Sequence, residues 1–214
     1  MKITILTDEK SWINEYVNPF LNYLALNNHE YSLRHELSGS FNGDLCICLS
    51  YSKLLSEEDL SKFKNVLVVH ESELPKGKGW SPLSWQILEG NNKFIFTLFE
   101  ASKKIDDGKI YLQKEVVLNG YELFDDWRKV QAETSFELCI EWIEGYPDIL
   151  TKAIKQEGNE TFYKKRNKKD SELDPTKSIK EQFNLLRIVD NENYPAFFKL
   201  NSKKYVLKIF LDEE

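Results

Sequence analysis

One histidine and one aspartate have the residue types and positions to move a proton together. His70 follows an apolar run, Val66 to Val69, and precedes an irregular loop rich in proline, glycine and lysine. Asp106 lies in KKIDDGKI, shortly after a second apolar run. A histidine oriented by a carboxylate is a general acid–base pair near neutral pH. The alternative is that His70 has a structural role at a strand end and that Asp-Asp-Gly only forms a turn.

Strands and helices alternate through the first half of the chain. Apolar runs predict strands, and helical spacing predicts helices at 11–28, 56–64 and 81–90. The strands are expected at 2–7, 30–37, 43–51, 65–70, 93–101 and 109–118. This order predicts an α/β fold with a Rossmann-like, mostly parallel sheet and helices on both faces. Ligands bind such sheets beyond the carboxyl ends of the strands, so His70 and Asp106 are expected at one edge.

The second half of the chain adds a long helix and a smaller tail. Residues 122–146 predict one amphipathic helix, and the charge-dense segment 163–175 predicts an ordered loop or, alternatively, a solvated linker. A short helix at 178–189 and a β-hairpin at 194–213 follow. We therefore expect a catalytic domain at 1–150 and a C-terminal extension at 151–214 that packs on the core.

The composition excludes several classes of protein. The 214 residues carry a net charge of −6, without the basic character that would predict a nucleic-acid partner. No apolar run reaches the roughly 20 residues of a membrane span, and the first residues lack a signal-peptide pattern. The three cysteines indicate reduced thiols in a cytoplasmic protein, and Cys46 and Cys48 are expected in the core. We expect no metal site.

The loop HESELPKGKGWSP resembles a loop of the 10-formyltetrahydrofolate-dependent formyltransferases, whose pattern is N-x-H-x-S-x-L-P-x-x-R-G-x-x-P. The matching residues are His70, Ser72, Leu74, Pro75, Gly79 and Pro82. FTLFEASKKIDDG resembles the family segment that ends in D-x-G, with Asp106 and Gly108 in those positions. The resemblance, most specific over 65–116, implies the formyltransferase fold. Two positions depart from it: the family asparagine is Val68 here, and the loop arginine is Lys78.

The resemblance also implies roles for individual residues. His70 would act as the base and lie beside the oxyanion, and Asp106 would orient His70 and the incoming amine. The co-substrate would be 10-formyltetrahydrofolate. Its pocket would be lined by Ser50, Tyr51, Ser72, Leu74, Ala101 and Ile105.

The tail resembles the C-terminal segment of the sugar N-formyltransferases, particularly in DSELDP and EQFNLLRIVDNENYPAFF. It resembles less the methionyl-tRNA formyltransferases, which carry a separate basic C-terminal domain. The acceptor would then be the amine of a nucleotide-linked amino sugar, used for cell-surface polysaccharide or glycan biosynthesis. Phosphate would be bound by Lys78, Lys165, Arg166 and Arg187, with Tyr163 and Tyr194 stacking and Trp80 beside the sugar. Each of these residues has an ordinary surface or core role as its alternative.

Two other functions remain open from the sequence. One is a formyltransferase that acts on a non-sugar amine. The other is a non-catalytic relative that binds folate or a nucleotide, which Val68 in the asparagine position favours. A homodimer is one of the assembly states that the sequence leaves open.

Overall fold

A computed structural model of the protein describes residues 1–37 and 42–212. Its strands are β1 (Lys2–Leu6), β2 (Glu30–Arg34), β3 (Gly43–Cys48), β4 (Phe63–His70), β5 (Lys78–Gly79), β6 (Lys93–Glu100), β7 (Ile110–Val117), β8 (Phe162–Tyr163), β9 (Ala196–Leu200) and β10 (Lys203–Leu207). Its α-helices are α1 (Asn18–Leu26), α2 (Glu57–Ser61), α3 (Pro82–Leu88), α4 (Phe124–Gly145) and α5 (Phe183–Arg187).

The central sheet has the strand order β2-β1-β3-β4-β6-β7. The first four strands pair in parallel, which confirms the predicted α/β fold with a mostly parallel sheet. β6 and β7 instead run antiparallel to their neighbours, where a parallel β6 was expected. The connection from β4 does not return along that strand: Thr97 pairs with His70 and Glu100 with Leu67, so β6 enters the sheet at the carboxyl end of β4.

Alternating side chains of the parallel strands form apolar clusters on the two faces of the sheet. Ile5, Ile47 and Leu67 pack with residues of α1, α3 and α4 on one face. Cys46, Cys48 and neighbouring residues pack on the other face, where α2 contributes Leu60. The predictions of helices on both faces and of a core position for these cysteines are therefore confirmed. All three cysteines are free thiols.

The helices follow local sequence signals, with some shifts. Pro19 breaks the predicted helix 11–28 into a 3-10 turn at Trp12–Glu15 and α1, because proline is accepted only in the first helical turn. The Ser56 hydroxyl caps α2 by accepting a 3.1 Å hydrogen bond from the Asp59 amide. Ser81 precedes α3 without a side-chain cap.

The C-terminal residues pack on the sheet domain through several short elements. β8 pairs in parallel with β5, and a 3-10 turn forms at Lys168–Ser171, so the segment 163–175 is an ordered loop as predicted. The predicted helix 178–189 is shorter and consists of a 3-10 turn followed by α5. β9 and β10 form the predicted hairpin around Asn201 and Ser202. Residues 213 and 214 of the predicted extension lie outside the described residues.

Candidate active site

His70 ends β4 and is almost completely buried, with 6% of its surface exposed. Its Nε2 lies 2.8 Å from the carbonyl oxygen of Gly77. A carbonyl only accepts, so Nε2 must carry a proton, and in the neutral ring the lone pair is on Nδ1. No hydrogen bond to Nδ1 occurs among the described residues. The ring is therefore held by one nitrogen, and the other is free to accept a proton.

Asp106 lies beside this histidine. Its Oδ2 is 3.8 Å from His70 Nε2 and accepts a 2.8 Å hydrogen bond from the Gly79 amide. The residue has a left-handed backbone with φ of 49°, which aspartate tolerates better than most residues. Gln156 Nε2 donates to the backbone carbonyls of Asp106 and Gly108 at 2.8 and 2.9 Å. The carboxylate is thus fixed close to the imidazole, within electrostatic reach of its protonated form.

The loop between β6 and β7 brings Asp106 to His70. The prediction that both residues follow parallel strands is wrong, because β6 is antiparallel and pairs Thr97 with His70. The chain instead leaves β6 at Glu100 and bends back at Gly108. A Cβ atom at Gly108 would lie 1.5 Å from the Glu100 carbonyl oxygen, so only glycine permits this close approach.

Lys78 fixes the loop that follows His70. Its side chain is 1% exposed, and its Nζ lies 3.1 Å from an Asp107 oxygen and 2.7 Å from a Glu160 oxygen. Burial alone would lower the pKa of the Lys78 ammonium, but the hydrogen bonds with Glu160 and Asp107 outweigh it and raise that pKa. Lys78 does not line the cavity. Its predicted role in binding phosphate is therefore corrected to a structural ion pair.

A cavity of about 960 Å³ opens beside His70 and Asp106. Six lysine or arginine side chains line it: Lys10, Lys53, Lys104, Arg128, Lys165 and Arg166. Four carboxylates join them: Asp8, Glu71, Asp106 and Asp190. Cations are therefore in excess here although the whole chain has a net charge of −6. Such a cavity favours anionic ligands.

Four of the six residues predicted for the folate pocket line this cavity, namely Ser50, Tyr51, Ala101 and Ile105. Ser72 and Leu74 do not. Ser72 is buried and its carbonyl accepts a 2.7 Å hydrogen bond from the Thr97 hydroxyl. Leu74 packs against Phe99 and Ile110 in a small apolar cluster. The side chains of these two residues therefore stabilise the loop by packing on the side away from the cavity, and they do not face a ligand.

Four of the residues predicted for the acceptor line the cavity, namely Trp80, Lys165, Arg166 and Tyr194. Tyr163 and Arg187 do not, and their predicted roles are corrected. The Tyr163 ring stacks on Trp85 with centroids 6.3 Å apart. Arg187 is 1% exposed, and its Nη1 donates to Asn92 Oδ1 at 2.8 Å. It anchors α5 to the sheet domain and has no surface to offer a phosphate.

Sequence reasoning missed several residues that line the cavity. Arg128 and Gln131 lie on α4, which helical periodicity identified only as a core helix. Trp12 lies in the connection after β1, and Glu71 directly follows His70. The one available signal for Glu71 was its position at the end of a parallel strand.

Val68 occupies the wall where the resemblance places an asparagine. It lies two residues before His70 on the same face of β4 and lines the cavity. Asn65 does not replace the missing amide, because its Nδ2 donates to Glu100 Oε2 at 3.0 Å and the residue is not part of the lining. Among the described residues, no group of histidine, cysteine and acidic side chains could hold a metal ion.

Comparison with known proteins identifies the family. The model of the formyl transferase family matches residues 13–131, which include both His70 and Asp106. The chain belongs to the formyl transferase family. A methionyl-tRNA formyltransferase from Thermotoga neapolitana is 33% identical over 174 residues, which are 80% of this chain and 55% of that protein. The chain thus spans about half the length of this formyl transferase relative.

Two solved structures share the fold. A sugar N-formyltransferase from Shewanella sp. FDAARGOS_354 has a TM-score of 0.73 and 15% identity, and the match covers 100% of this chain and 99% of that one. HypX from Aquifex aeolicus in complex with tetrahydrofolic acid has a TM-score of 0.74 and 17% identity, covering 98% of this chain and 37% of that one. The predicted formyltransferase fold is confirmed. Among the described residues, no helix is both long and apolar enough to cross a membrane.

Proposed function

We propose that the protein transfers a formyl group from 10-formyltetrahydrofolate to the primary amine of a nucleotide-linked amino sugar, for the biosynthesis of a cell-surface polysaccharide or glycan. The observation that carries the proposal is the His70–Asp106 pair inside a cavity lined by an excess of cations. Membership of the formyl transferase family supports the reaction class. The similarity to a sugar N-formyltransferase over nearly the whole length of both chains supports the acceptor class.

Apolar and aromatic residues in the cavity lining fit a folate. Leu54 and Ile105 are apolar side chains that are 63% and 46% exposed, and Tyr51 also belongs to the lining. Flat ring systems bind to such apolar and aromatic walls. Lys53 and Lys104 line the same cavity and would pair with the carboxylates of the folate tail. When bound, 10-formyltetrahydrofolate supplies the formyl group.

His70 would remove the proton that the acceptor amine loses as its nitrogen bonds to the formyl carbon. Nδ1 is the atom for this task, because Nε2 already donates to the Gly77 carbonyl. Asp106, 3.8 Å from Nε2, would stabilise the resulting imidazolium. His70 would then return the proton to the folate nitrogen as its bond to the formyl carbon breaks. The amine loses one proton and the folate gains one, so the reaction balances.

The acceptor would bind to other aromatic and basic residues of the same lining. Trp80 and Tyr194 are 38% and 37% exposed and offer aromatic faces to a base or a sugar ring. Lys165 Nζ lies 4.4 Å from the centre of the Trp80 ring and has no carboxylate partner among the described residues. We assign Lys165 to the diphosphate in preference to Arg166. Arg166 already donates to the Ile188 carbonyl and the Ser171 hydroxyl, at 3.0 and 3.3 Å.

A second candidate acceptor is methionyl-tRNA. It is favoured by the Thermotoga neapolitana relative, which is named as a methionyl-tRNA formyltransferase and is 33% identical. The same His70–Asp106 chemistry would serve a methionyl amine. A non-sugar small amine and a non-catalytic folate- or nucleotide-binding protein are the remaining alternatives, and Val68 in the cavity wall is the feature that favours the last one.

The test is an acceptor screen. Purified protein is incubated with 10-formyltetrahydrofolate and, in separate reactions, with UDP-, dTDP-, GDP- and CMP-linked amino sugars or with methionyl-tRNA. Mass spectrometry follows the gain of one formyl group, and a His70→Ala protein is the control. Formylation of a sugar nucleotide alone supports the proposal. Formylation of methionyl-tRNA alone would show that methionyl-tRNA, and not a sugar nucleotide, is the acceptor. If no acceptor is formylated, the non-catalytic folate- or nucleotide-binding alternative is favoured.

A further inference from the structure

The guanidinium of Arg128 is enclosed by aromatic rings in the cavity wall. Its Cζ lies 4.3 Å from the ring centre of Trp12, 4.6 Å from that of Trp127 and 4.9 Å from that of Phe124. Trp12 comes from the connection after β1, and the other two precede Arg128 on α4. Arginine planes are attracted to aromatic faces, so three rings from two parts of the chain hold this guanidinium in one orientation.

Among the described residues, the protein uses one edge of the guanidinium. Nη1 donates to Gln131 Oε1 at 2.7 Å, and Gln131 in turn donates from Nε2 to the Glu71 carboxylate. Nε is buried without a hydrogen-bond partner among the described residues. Nη2 also has no partner there. Nε and Nη2 form the edge with which an arginine binds two oxygens of one carboxylate or phosphate.

The carboxylates near Arg128 leave this edge free. Asp190 accepts hydrogen bonds from the amides of Glu192 and Asn193 and from the Asn193 side chain, at 2.8 to 3.0 Å, so its oxygens are engaged in its own turn. Glu71 is reached only through Gln131. Burial lowers the pKa of the Arg128 guanidinium to about 10, against the influence of Glu71 and Asp190, and the group stays charged at neutral pH.

We propose that the Nε–Nη2 edge of Arg128 binds an oxyanion of the acceptor and thereby selects acceptors that carry a phosphate or a carboxylate. This inference rests on the proposed function, because it assigns Arg128 to the acceptor substrate of that reaction. Arg128 belongs to the acceptor side because Gln131 links it to Glu71, the residue after His70, and because Ile188 and Asp190 of the extension line the same cavity. The residues assigned to folate come from two other loops.

Calorimetric titration tests the inference without requiring turnover. The probes are UDP, dTDP and GDP for a phosphate, glucuronate for a carboxylate, and tetrahydrofolate for the donor side. Arg128→Met removes the donors and the charge, and Arg128→Lys keeps the charge without the two-donor edge. Lys129→Met is the matched control, because Lys129 is the exposed neighbour on the same helix and does not line the cavity. Thermal melting shows whether each variant is folded.

We expect at least one anionic probe to bind the unaltered protein and Lys129→Met equally. Its Kd should rise about ten- to hundredfold in Arg128→Met, the effect of losing charge-assisted hydrogen bonds. The Kd should rise less in Arg128→Lys. If Arg128→Met does not fold, the Kd measured with Arg128→Lys tests whether Arg128 binds the anion. If a nucleoside diphosphate binds more weakly to the variants, the group that Arg128 binds is a phosphate. If glucuronate binds more weakly, that group is a carboxylate.

Three results would overturn the inference: no anion probe binds the unaltered protein, every anion probe that does bind it also binds folded Arg128 variants normally, or only tetrahydrofolate binding weakens. The outcome is separable from that of the proposed function. If Arg128→Met loses anion binding and the acceptor screen is negative, the anion site at Arg128 is supported. The proposed formyl transfer to sugar nucleotides is then rejected.

Discussion

The Oδ2 atom of Asp106 lies 3.8 Å from His70 Nε2 while accepting a 2.8 Å hydrogen bond from the Gly79 amide. The carboxylate therefore does not depend on the imidazole for its position. It is held by the backbone, and the imidazole is held separately by the Gly77 carbonyl. Both groups are fixed before any ligand binds. When His70 takes up a proton, the carboxylate of Asp106 is therefore already in position to stabilise the imidazolium.

His70→Asn should lower turnover by about 10²–10⁴, the usual contribution of a positioned general base. The asparagine amide ends near the position of Nδ1 and does not replace the Nε2 hydrogen bond to the Gly77 carbonyl, so the thermal melt must show that the variant is folded. Steady-state rates measured with the acceptor found in the screen, together with a thermal melt, check this. A folded His70→Asn protein with normal turnover would contradict the assignment.

Asp106→Asn should lower turnover by at least about tenfold, because the charge that stabilises the imidazolium is lost. The asparagine oxygen can still accept from Gly79, so the Michaelis constant for the folate should change little. Asp107→Asn is the matched comparison. It should leave turnover close to normal and lower the free energy of unfolding by about 1.5 kcal/mol, through its weaker contact with buried Lys78. Low turnover in Asp107→Asn together with near-normal turnover in Asp106→Asn would show that Asp107 is the catalytic carboxylate.

Gln156→Leu should lower turnover about tenfold and leave both Michaelis constants nearly unchanged. The substitution removes the two hydrogen bonds that fix the backbone on either side of Asp107, each contributing about 1 kcal/mol. Parallel measurement of turnover and Michaelis constants separates positioning from binding. Lys155→Ala, at an exposed neighbouring residue, is the control. Normal turnover in folded Gln156→Leu would mean that the turn holds its shape without the glutamine.

The stabilising contribution of Glu122 should be lost in acid. Burial alone would raise the pKa of the Glu122 carboxyl, but hydrogen bonds from the Asn119 and Gly120 amides and the nearby Arg187 lower it below its ordinary value. A folded-state pKa below the unfolded one stabilises the fold above the unfolded value of about 4.3. That stabilisation is lost as the pH falls through the folded-state pKa.

Denaturant unfolding at pH 7, 5, 4 and 3 measures this loss. The free energy of unfolding should fall between pH 5 and 3 in the unaltered protein. Glu122→Gln should be less stable at pH 7 and show a shallower fall. Parallel curves for the two proteins would contradict the role given to Glu122.

The parts of the site that the sequence predicted are those fixed by local signals. His70 and Asp106 each follow an apolar strand and lie in short motifs, and both line the cavity. The mistaken predictions concern cations whose partners are distant. Nothing near Lys78 in the sequence reveals that Glu160, 82 residues away, will bury it. The antiparallel direction of β6 was likewise hidden, because a strand's apolar pattern is the same in either direction.

Arg128 was missed for a related reason. Periodicity along α4 separates the buried face from the exposed one, but it does not say which residues at the boundary meet a cavity. The ring of Trp12 that covers Arg128 belongs to a different connection, near the start of the chain. Only the packed fold brings the two together.

The ion pairs of Lys78 bear on how this chain can be recombined with its relatives. One carboxylate, Asp107, comes from the turn after β6, and the other, Glu160, comes from beyond residue 150. The amides of Gly77 and Lys78 also bond to Thr161. A chimera joined at residue 150 would separate a buried ammonium from one of its counter-ions. Crossover points after Tyr163 keep all of these partners in one parental segment, and exchange of acceptor preference between relatives should be attempted there.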